Sequence, residues 1–142
     1  MLSFIVSYIR QNRSIIIALL ILTPIGFYSK FYSGPFHYWA NNSLGGVFYE
    51  VFWCLVLVLF FKRLKPLQIA GIVLLFTCSL EFLQLWHPPF LVLLRSNFIG
   101  VTILGNAFTW SDFPYYFIGS GFGLVLLNIL KSHSVSEESA TV

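Results

Sequence analysis

Residues 46–87 begin Gly46-Val-Phe-Tyr-Glu50-Val-Phe-Trp-Cys54-Leu-Val-Leu-Val-Leu-Phe-Phe61 and turn at Lys62-Arg63-Leu64-Lys65-Pro66. They continue Leu67-Gln-Ile-Ala-Gly-Ile-Val-Leu-Leu-Phe-Thr-Cys78-Ser-Leu-Glu81-Phe-Leu-Gln84-Leu-Trp-His87. Two apolar runs flank one short basic turn. A helix rises 1.5 Å per residue, so about 20 residues cross the hydrocarbon of a bilayer. The pair therefore predicts an antiparallel hairpin of two membrane helices. The first is short enough to need snorkelling flanks or a thinned bilayer.

Working outward, the rest of the chain agrees. It has 142 residues, 58% hydrophobic and 19% aromatic, with 9% charged. A soluble domain carries about 25% charged residues, so soluble, disordered and collagen-like classes are excluded. Cys54 and Cys78 both fall inside apolar runs, which argues against a disulfide scaffold and against a zinc knuckle. The net charge of +3 comes from short clusters between apolar runs, without a basic stripe, so nucleic acid is not expected as a partner.

A first span is expected at about 14–29, with a kink at Pro24. It resembles a signal peptide, but small residues for cleavage are missing near Gly26 to Gly34. A fourth span is expected at about 113–130. The expected fold is thus an all-α integral membrane protein, a four-helix bundle in a single domain over 1–131. Residues 30–45 are expected as a loop, because Gly34-Pro35 and Asn41-Asn42-Ser43 supply turn chemistry. Residues 132–142 are expected as a disordered tail. Segment 88–112 is too apolar for a free loop and too broken, by Arg95, Gly100, Gly105 and Asn106, for a clean span. It is expected to be re-entrant or interfacial, or a short fifth helix.

Basic residues set the orientation. Arg10, Arg13, Lys62, Arg63, Lys65 and Lys131 gather on one side, and Lys30 and Arg95 on the other. The positive-inside rule then predicts both termini in the cytoplasm of a multi-pass membrane protein. Glu50, Glu81, Gln84, His87, Arg95, Asn97, Asn106 and Asp112 all fall on the outer half. Glu50 and Cys54 share one face of span two; Cys78, Glu81 and Gln84 share one face of span three. If those faces meet, two carboxylates occupy one low-dielectric site and need Arg95, a cation or a shared proton as balance. An ionisable residue inside a span is a functional candidate by default. The competing explanation for each is structural. Glu50 and Glu81 can bond neighbouring helices, Arg95 can snorkel, and Asp112 can cap the helix that Pro114 opens.

The candidate ligand-binding set is Glu50, Glu81, Gln84, His87, Arg95 and Asp112. No cofactor and no metal is expected, because the histidines lack ligand spacing. Gly119 and Gly123 form a GxxxG, expected to pack helices closely, within the chain or against a membrane partner or second copy. Three functions fit. One is binding of a lipid or envelope amphiphile; one is small-solute or proton-coupled transport; one is a structural role in a membrane complex. No nucleophile stands out, so an enzyme is the less favoured class.

The run Glu81-Phe-Leu-Gln84-Leu-Trp-His87, followed by Leu94-Arg95, Leu104-Gly105, Phe108-Thr-Trp110-Ser111-Asp112, Tyr116 and Gly119, resembles domain-of-unknown-function family 2809. That resemblance covers roughly residues 25–130 and implies a four-span bacterial membrane protein of the cell envelope, without a reaction. More distantly the chain is similar to VanZ-like proteins, with Glu81, Gln84, Arg95, Asp112 and Gly119 at corresponding positions. The interval from Arg95 to Asp112 is longer here, and the asparagine expected after the aspartate is absent.

Overall fold

Pro66 stands in the first turn of one helix, and Gly34-Pro35 separates two others; these breakers divide the chain into rods. The computed structural model describes residues 1–105 and 107–140. Asn106, Thr141 and Val142 lie outside the described residues, as do the side chains of Leu2 and of 133–140. In order come α1 (Leu2–Gln11), α2 (Arg13–Phe31), α3 (His37–Trp39), a π-helical turn (Ala40–Leu44) and α4 (Gly45–Phe60). They are followed by α5 (Pro66–Leu83), α6 (Pro89–Leu94), α7 (Phe98–Leu104) and α8 (Asp112–Ala140). There is no strand among the described residues.

Among the described residues, four stretches are long and apolar enough to cross a membrane: Arg13–Phe31, His37–Phe60, Pro66–Leu83 and Asp112–Ser132. Three boundaries differ from the sequence reading. The second rod starts at His37, not near 46. Phe36 takes a left-handed φ of 60° just after the Gly-Pro break. From there Asn41-Asn42-Ser43 is absorbed into the π turn, with Asn42 donating to the Tyr38 carbonyl. The third rod stops at Leu83, and residues 84–87 turn instead. Helix α8 runs on past Lys131, through the stretch expected as a tail, to Ala140.

Helices α4, α5 and α8 form the centre, with α2 against α4. The dry core takes Val51, Cys54, Leu55 and Val58 from α4, spaced along one helical face. Ile69, Ala70 and Val73 of α5 and Leu127 of α8 complete it, with Ile15, Ala18, Leu19 and Leu22 of α2 packed beside them. The outside is apolar too. Leu20, Leu75, Phe76 and Phe122 are each 60–72% exposed, which suits acyl chains rather than water.

The two ends of the bundle differ in chemistry. At the end with the Lys62–Lys65 turn, Tyr8 donates to the Leu59 carbonyl at 2.8 Å, and Lys62 lies 4.5 Å above the Tyr8 ring. Lys131 donates to the Leu64 carbonyl at 2.7 Å. The buried polar side chains Glu50, Thr77, Glu81, Gln84 and Ser120 lie towards the other end, beyond the dry core. Segment 88–112 covers that end. Its two helices have six and seven residues, each too short to span.

Candidate functional site

Helical spacing of four sets the site. Thr77 and Glu81 lie one turn apart on α5, and Gln84 follows at its end. Tyr116 and Ser120 lie one turn apart on α8. A buried carboxylate is costly unless hydrogen bonds replace its water. Glu81, 1% exposed, accepts three. The Thr109 backbone N–H donates to Oε1 at 2.8 Å, while the Tyr116 hydroxyl and the Gln84 amide donate to Oε2, each at 2.9 Å. The Thr109 donor comes from the connection into α8, so this one carboxylate joins α5, α8 and the covering segment. Rings of Phe82, Phe108, Trp110 and Phe113 pack on one another, with Phe113 6.2 Å from Tyr116.

Glu50 of α4 is fully buried, and the Ser120 hydroxyl donates to its Oε2 at 2.7 Å. Thr77 lies beside it on the α5 side. Glycine makes this approach possible. A Cβ on Gly119 would sit 2.7 Å from the Glu50 Cβ and 2.9 Å from the Val47 Cα; one on Gly123 would sit 2.8 Å from the Cys54 sulfur. The GxxxG face is therefore filled by α4 of the same chain. A partner or second copy would have to dock elsewhere.

Between the helix ends and the covering segment lies a cavity of about 300 Å³. Glu81, Gln84, Thr77, Tyr116, Lys30, Asn41 and Asp112 are among the residues that line it. Gly105, at φ 70° and ψ 175°, is part of the lining and lies against the Gln84 amide. The Tyr49 hydroxyl donates to the Ile103 carbonyl at 2.7 Å and so ties α7 to α4. An apolar groove of about 370 Å³ adjoins the cavity, between α2, α4 and α7.

Three of the sequence candidates, Glu81, Gln84 and Asp112, line the cavity. The other three do not. Glu50 is sealed behind the wall by the α4–α8 contact, and the two carboxyls share no hydrogen bond; each is tied to α8. Arg95 does not pair with Glu81. Its guanidinium donates to the carbonyls of Leu83 at 3.1 Å and Trp86 at 3.2 Å. The physical reason is the end of α5, whose last carbonyls lack helical partners and carry the negative end of the helix dipole. His87 is exposed on the turn, with Nδ1 3.2 Å from the Leu85 carbonyl, away from the cavity. Asn106 lies outside the described residues.

Several residues of the site escape a reading of charges. Thr77 and Ser120 are ordinary hydroxyls whose only signal is the spacing of four to Glu81 and Tyr116. Lys30 reads as a flanking charge, yet it lines the cavity within electrostatic reach of Asp112. Asn41 and Asn42 read as turn formers and line it from the π turn.

Residues 36–120 match the family model described as "Protein of unknown function (DUF2809)". The matched stretch holds α3 to α7, the covering segment and the part of α8 that carries Tyr116, Gly119 and Ser120. No solved structure matches the chain. With more than half its length inside that model, the chain belongs to the DUF2809 family.

Proposed function

We propose that the protein is a cell-membrane protein that holds the polar end of an amphiphile in this cavity, on the extracytoplasmic side. The observation that carries the reading is a cavity lined by charged and amide side chains, set into one end of a bundle whose outer surface is apolar. Ligand sites are typically concave, largely apolar and supplied with a few fixed polar groups. The Lys62–Lys65 turn and Lys131 at the opposite end support cytoplasmic termini by the positive-inside rule.

Transport is less well supported. Below the cavity the bundle is closed by Val51, Leu55, Val58, Ile69, Val73 and Leu127, with no polar side chain among them. A solute moving inward would meet that dry layer. The structural-subunit reading loses its named surface, because Gly119 and Gly123 pack against α4.

The test is extraction of the full chain with its surrounding bilayer, followed by mass spectrometry of retained lipids. Wild type is expected to enrich one amphiphile class over the bulk membrane, and Asp112→Ala to lose that enrichment at equal yield. Retained lipid equal to bulk composition in the wild type would overturn the proposal.

A further inference from the structure

We infer that the amphiphile is phosphate-linked and carries hydrogen-bond donors at its tip, with its chain in the apolar groove and its phosphate at Lys30. This rests on the cavity reading above and adds the ligand's chemistry. Lys30, Tyr49, Thr102 and Ile103 line both the polar cavity and the groove, so the two share a wall. On the far side of that wall the groove is hydrocarbon and aromatic: Leu22, Phe27, Phe48, Phe52 and Phe98. Phe27 and Phe98 stack at 6.1 Å and hold α7 over it. Gly26 and Phe48 lie side by side in that lining.

The order of chemistry along this path matches a phospholipid. Apolar lining comes first. Lys30 stands next, at the junction, and among the described residues is the one cationic side chain in the lining of either space. Acceptors follow. Asp112 lies within electrostatic reach of Lys30, and the Asn41 amide oxygen is buried with no hydrogen-bond partner among the described residues. An ammonium at the junction suits a phosphate. An unpartnered amide oxygen and a carboxylate suit an amine or hydroxyl tip. A tip without N–H or O–H groups leaves both unsatisfied, which is the stronger discriminator.

The test uses the full chain in detergent, with retained lipid counted by native mass spectrometry. The probes are phosphatidylethanolamine, phosphatidylglycerol, phosphatidylcholine and diacylglycerol of matched chains. The first two are expected to bind about tenfold more tightly than the third, the scale of one charge-assisted or buried hydrogen bond. Lys30→Ala is expected to weaken those two by a similar factor and leave diacylglycerol unchanged, with Lys30→Arg restoring binding. Equal retention of phosphatidylcholine, or indifference to Lys30→Ala while Asp112→Ala still releases lipid, would overturn this inference and spare the cavity reading. No retention of any probe would overturn both. Unfolding temperatures of the variants separate lost binding from lost fold.

Discussion

At the scale of single residues, Glu81 is the group on which the site's geometry depends. Three donors from three parts of the chain converge on its carboxylate, so truncation orphans all of them. Glu81→Ala is expected to destabilise the protein by about 2–5 kcal/mol, since each stranded buried donor costs about 1–3 kcal/mol. Tyr116→Phe removes one donor and should cost only about 1 kcal/mol. Unfolding midpoints in detergent check both; equal effects would mean that Tyr116 is the principal partner. Glu81 and Gln84 are legible from spacing inside an apolar run. The partners of Arg95 are not legible, because a guanidinium in sequence suits a carboxylate, a headgroup or water alike, and in space it finds helix-end carbonyls. Thr109 is invisible, since its contribution is a backbone N–H, which every residue but proline has.

At the scale of elements, the seam between α4 and α8 sorts the glycines of one short stretch. Gly119→Ala should cost about 1–3 kcal/mol, because the new methyl meets α4 backbone as well as the Glu50 side chain. Gly121→Ala meets nothing within 4 Å and should be neutral, or stabilising by up to about 1 kcal/mol through helix propensity. Thermal unfolding of the two variants side by side checks the seam. Gly105 is the second special position. Its φ and ψ lie in a region essentially reserved for glycine, so Gly105→Ala should cost about 1–3 kcal/mol and displace Gln84 from Glu81. Four rods and the basic turn are legible in the sequence as runs of apolar residues. The early start of the second rod is not, because the same asparagines that make turns also sit in a π turn once Phe36 has set the chain's direction.

At the scale of the whole molecule, the chain sorts its polarity by height: basic side chains at one end, a dry core, then the acids, amides and cavity at the other. An orientation test follows. In a Cys54→Ala, Cys78→Ala background, a cysteine at His87 should react with an impermeant thiol reagent on intact cells. One at Arg63 should react only after lysis; the reverse pattern would invert the topology. The same layering bears on synthesis. Glu50 and Glu81 leave the ribosome well before Thr109, Tyr116 and Ser120, which later supply most of their hydrogen bonds. A charge near the bilayer midplane costs about 2.5–3.5 kcal/mol on translocon scales. Towards the end of a span the cost is smaller but of the same sign, so the hairpin is expected to stay in the insertion machinery, or in headgroup water, until α8 arrives. A nascent chain stopped after Leu104 should stay crosslinkable to the translocon, whereas one stopped after Ser132 should be released into lipid.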